Sequence, residues 1–160
     1  MYQENYVSFD QAKRLKEFGF DWPVYQYYLI NGLGDVILWF PEGERNPNNN
    51  DDDDISAPTL DQDKSFHIGF YQNFNDNRDG LEMVNGEIIR ITYVSAPTLA
   101  QVQKWLRETK ESEVIVIRLD DNVYNYTIYG EIGNVTTERT FDTYEQALSA
   151  GIDKALELLK

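Results

Sequence analysis

Thr98-Leu99-Ala100-Gln101-Val102-Gln103-Lys104-Trp105-Leu106-Arg107, followed shortly by Val114-Ile115-Val116-Ile117-Arg118-Leu119, sets a helical period directly beside a β-branched strand run. Pro97 blocks helix from upstream, Thr98 with Gln101 makes a capping box, and Leu99, Val102, Trp105 and Leu106 share one face, so a helix is predicted over Thr98–Lys110. The near-continuous apolar run Val114–Leu119 reads as a strand covered on both sides. Asp120-Asp121-Asn122 turns the chain into a strand at Tyr124–Ile132, with a further short strand within Val135–Phe141. Thr143 caps a last helix that carries Leu148, Ile152, Ala155 and Leu159 on one stripe.

The amino-terminal half repeats the same grammar. Ser8 and Gln11 form a capping box for a helix over Ser8–Phe18 that Gly19 stops. Val24–Ile30 and Val36–Phe40 flank Asn31-Gly32-Leu33-Gly34 as a hairpin. Phe66–Phe74 and Glu87–Val94 have strand composition, with Asn73–Gly86 as a polar connection between them. The expected fold is α+β: one domain over residues 1–160, with an antiparallel-dominated sheet of five to seven strands and three helices packed mainly on one face.

Composition narrows function. Twenty-eight acids against fourteen bases leave a net charge of −14, a field that repels phosphate backbones and anionic head groups, so direct nucleic-acid binding is not expected. Without cysteine there is no disulfide, thiolate nucleophile or Cys-ligated metal. The opening Met1–Tyr6 has no leader pattern and no run approaches a membrane span, so a cytoplasmic protein with no membrane association is expected. No Gly-x-Ser-x-Gly elbow, Walker loop or dinucleotide fingerprint is present, and no cofactor is implied.

Candidate sites are few. Pro41–Asp54 has no apolar residue to bury and reads as a flexible acidic loop, in which Asp51, Asp52, Asp53 and Asp54 are solvated or offered to a basic partner. Asn75, Asn77 and Asp79 alternate ahead of Gly80 as in a calcium loop, but Gly86 stands where the bidentate Glu belongs; a turn-rich hairpin loop explains the same residues. His67, the single histidine, sits in a strand pattern as a surface or hydrogen-bonded residue. Eleven tyrosines stand out: Tyr25 and Tyr27 share one strand face, Tyr124 and Tyr126 another, and Tyr28 and Tyr129 point the opposite way. Cross-strand ladders account for most of them, and an exposed Tyr-rich face rimmed by acids would bind protein. Ser-Ala-Pro-Thr-Leu occurs at Ser56–Leu60 and Ser95–Leu99, a reuse of capping chemistry or a partial duplication.

Ser8–Phe20, Tyr93–Glu108 and Thr143–Leu156 resemble segments of small uncharacterised proteins of gut Bacteroidetes and their phages. The resemblance covers the three helices, transfers no activity, and implies a small accessory protein, with Val36–Arg90 longer than in those relatives. Together these readings favour a non-enzymatic acidic interaction protein, such as a phage-encoded inhibitor or DNA mimic, that engages a basic host or phage protein. The alternatives are a small-molecule or cation-binding domain, a carboxylate enzyme, and a homo-oligomeric structural component.

Overall fold

Each helix starts where capping chemistry places it. Gln11 N–H donates to Ser8 Oγ at 3.2 Å while Ser8 N–H donates to Gln11 Oε1 at 2.9 Å, and Thr98 with Gln101 repeats the box at 3.1 and 2.9 Å. At the third helix Gln146 N–H donates to Thr143 Oγ1 at 3.2 Å. The computed structural model describes residues 5–31, 34–39, 73, 75, 80–84 and 86–159. Among these the order is α1 (Phe9–Glu17), β1 (Tyr27–Ile30), β2 (Val36–Trp39), β3 (Gly80–Val84), β4 (Glu87–Ser95), α2 (Leu99–Thr109), β5 (Ser112–Asp120), β6 (Val123–Gly130), β7 (Val135–Thr136) and α3 (Tyr144–Leu158).

The α+β class and the antiparallel pairing hold, but the described strands do not form one sheet. They divide into a four-stranded sheet, β2-β1-β4-β3, and a three-stranded sheet, β5-β6-β7. After β4 the chain passes through Pro97 into α2, and β5 then pairs forward with β6 rather than back with the first sheet. The expected polar connection Asn73–Gly86 also contains a strand: β3 pairs antiparallel with β4, and Gly86, in the turn just before β4, has φ 86°. The expected strand Phe66–Phe74 lies outside the described residues except for Asn73, and the loop Pro41–Asp54 lies wholly outside them.

One apolar cluster joins both sheets and all three helices, from Val7, Leu15 and Phe20 through Tyr28, Val94 and Trp105 to Val114, Ile128, Leu148 and Leu156. Helix α1 lies against β4, α2 against β5, and α3 against β5 and β6, with α3 also touching both other helices. Gly151 permits that last approach, because a Cβ there would stand 2.5 Å from Val114 Cγ1 and 3.1 Å from Tyr126 Cγ. No helix among the described residues is long and apolar enough to cross a membrane.

Candidate interaction surface

Strand alternation sorts β5 and β6 into two faces. Ser112 and Val114 on β5, with Tyr126 and Ile128 on β6, are buried, and α3 covers them. Their neighbours point the other way. Ile115, Ile117 and Leu119 are 41%, 40% and 52% exposed, and Tyr129 on β6 is 66% exposed. The run Val114–Leu119 is therefore covered on one face only, which corrects the expectation of a strand buried on both.

The register explains why the outer face stays open. Ile115 stands opposite Thr127 and Ile117 opposite Asn125, while Thr127 is paired in turn with Thr136 of β7. The hydroxyls of Thr127 and Thr136 bond each other at 3.1 Å. Thus the aliphatic side chains of this face are concentrated on β5, at one sheet edge, while β6 and β7 contribute polar ones beside Tyr129. Charged groups mark both ends: Arg107 pairs with Glu113 at 3.2 Å beside Tyr129's end, and Arg118 with Asp121 at 2.9 Å at the other. Asp120, Glu131 and Glu138 are exposed nearby in the chain. A shallow cleft of ≈ 280 Å³ between Arg107, Glu113 and Tyr129 extends the face toward α2.

The tyrosines singled out from the sequence are not gathered here. Tyr126 is 8% exposed, its ring 6.1 Å from Phe141, and so belongs to the core rather than to a surface. Tyr124 is half-buried on the same inner face, with its ring edge-on to Tyr144 at 6.5 Å. Tyr27 packs edge-on to Tyr93 at 5.6 Å, and burial, with Tyr93 adding to it, pushes its phenol up to about 12. Tyr25 is exposed at the bend before β1. Tyr28 is buried and donates to Val7 O at 2.7 Å. Tyr25 lies before β1 rather than on a strand face with Tyr27, and the exposed aromatic of the second sheet is Tyr129 rather than Tyr124 or Tyr126.

Asn75 has a structural occupation. Its Nδ2 donates to Phe20 O at 2.8 Å and its Oδ1 accepts from Ser95 N–H at 3.0 Å, so the carboxamide ties the end of β4 to the segment after α1. Asn77, Asp79, His67 and Asp51–Asp54 lie outside the described residues. Among the described residues no cluster of three or more His, Asp or Glu is placed to hold a metal ion.

Ile115, Ile117 and Leu119 were missed in the sequence because a continuous apolar run looks alike whether one face or both are covered. A usable signal lay one strand further on. Asn125 and Thr127 alternate with Tyr124, Tyr126 and Ile128, and a polar alternate on the paired strand marks an open face. No family model matches the chain, and no curated protein or solved structure matches it.

Proposed function

We propose that the chain is a non-enzymatic interaction protein that engages a basic partner protein through the outer face of β5 and β6. The carrying observation is the apolar patch of Ile115, Ile117 and Leu119, exposed from 40% to 52%, bounded by Tyr129 and by charged ends. Burying an isoleucine or leucine fully is worth about 1.5–3 kcal/mol, so an uncovered stripe forgoes stabilisation that a partner would recover. An apolar centre with an aromatic and charged rim is also the anatomy of binding surfaces. The net charge of −14 steers basic proteins toward it and nucleic acid away.

Phosphate mimicry is the less supported form of this reading. The acids near the patch are interleaved with Arg107, Arg118 and Arg139, and a contiguous negative face is not what these residues make. A self-assembling role is opposed by the same charge, since each copy brings −14 to the contact.

The test compares captures from a lysate of the source organism by the intact chain and by a chain carrying both Ile117→Lys and Leu119→Lys. The reading expects a basic protein that high salt releases and the double variant fails to hold. With that protein purified, the double variant should bind at least about tenfold more weakly, or about 1.4 kcal/mol. Equal binding to both chains would overturn the reading.

A further inference from the structure

We infer that β5 takes up its partner as an added strand, an extended segment in which apolar residues alternate with Lys or Arg; this rests on the outer face being the interaction surface. Glu131 N–H donates to Glu111 O at 3.2 Å, which sets the phase of the β5–β6 ladder. Glu113, Ile115 and Ile117 then exchange hydrogen bonds with β6, and the backbone groups of Val114, Val116 and Arg118 point to the strand's free side. Val114 confirms the phase: its carbonyl accepts from Gln103 Nε2 of α2 at 2.6 Å. Past Val114 that cover ends. Among the described residues no partner meets the free-side backbone groups of Val116 or Arg118 before the bulge between Arg118 and Asp120.

Three features select the occupant. An edge of this length with no proline is a template for another strand. The apolar side chains stand on the edge strand itself, beside which an added strand would place its own apolar alternates. A partner lying flat across the face would instead cover Asn125, Thr127 and Thr136 as well. Exposed Asp120 at one end, whose carboxylate is in no ion pair among the described residues, and the net charge of −14 favour Lys or Arg on the incoming strand, and the same net charge disfavours a second copy of the chain.

The experiment uses the full chain, isotope-labelled, and a synthetic peptide alternating Val or Ile with Lys or Arg, with a second peptide N-methylated at alternate amides. Arg118→Pro removes an N–H from the free side without touching the β6 ladder, and Ile117→Lys charges the face. Strand addition expects the first peptide to slow amide exchange at Val116 and Arg118 tenfold or more. It also expects binding to be lost with the methylated peptide and with either variant. If Ile117→Lys abolishes binding while Arg118→Pro and the methylated peptide bind normally, strand addition falls and the outer-face reading survives. Binding that neither variant weakens overturns both, and absence of binding by the unmethylated peptide overturns strand addition. A dimer that Arg118→Pro dissolves would assign the edge to a second copy and likewise overturn the proposal. Should Arg118→Pro fail to fold, the methylated peptide decides alone.

Discussion

Gln11 serves two elements with one carboxamide: its oxygen caps α1 by accepting Ser8 N–H, and its nitrogen donates to Ser149 O and Oγ at 3.0 and 3.1 Å, linking α1 to α3. At 1% exposure water does not replace these bonds, so Gln11→Ala should cost about 1–3 kcal/mol, read as a lowered midpoint in denaturant. The cap was legible in the sequence because it is local; the reach to Ser149 was not, because it spans the chain. Asn75 teaches the same lesson, since its spacing suggested a calcium ligand and its contacts make it a brace between Phe20 and Ser95. Gly151 carries a second expectation. Overpacking against Val114 and Tyr126 costs about 1–3 kcal/mol, against roughly 1 kcal/mol gained in helix propensity, so Gly151→Val should lower Tm clearly and Gly151→Ala by less. The phenol of Tyr27 is raised from 10.0 to about 12 by burial, so the folded state favours its neutral form. That contribution is complete below pH 10 and is lost as pH rises toward about 12. Ultraviolet titration should find Tyr27 among the last tyrosines to ionise, and Tyr27→Phe should remove that late step and soften alkaline unfolding.

The three helices were readable almost to the residue, because their N-caps, the glycine stop after α1 and a single apolar stripe are written in consecutive positions. Thr98→Ala should accordingly cost about 1 kcal/mol through the loss of one cap, with α2 otherwise retained by circular dichroism. Strands were readable as runs but not as layers. Whether Ile115 and Ile117 are covered depends on where α3 and the other elements go, and the six residues Val114–Leu119 contain no sign of it. Likewise β3 hides in an Asn- and Asp-rich stretch because its apolar content is short, and its strand character comes from pairing with β4. The candidate site therefore emerged from the register, not from the tyrosine count. The two faces of β5 should respond differently to charge. Ile117→Lys should change stability by no more than about 0.5 kcal/mol, whereas Val114→Lys, which forces an ammonium into the core, should prevent folding or cost several kcal/mol, by equilibrium unfolding.

Across the molecule, one apolar core ties two sheets and three helices together while the surface keeps a large excess of negative charge. That excess sets long-range preference for basic proteins, and the open part of β5 gives that preference a place to act. Strand addition to β5 depends on this edge being free in solution. Amide hydrogen exchange along β5 of the unliganded full chain reports on it residue by residue. Val116 and Arg118 should exchange far faster than Ile115 and Ile117, whose N–H groups in the same strand bond β6. If Val116 and Arg118 prove as protected as Ile115 and Ile117, the edge is already occupied, and strand addition to β5 is ruled out.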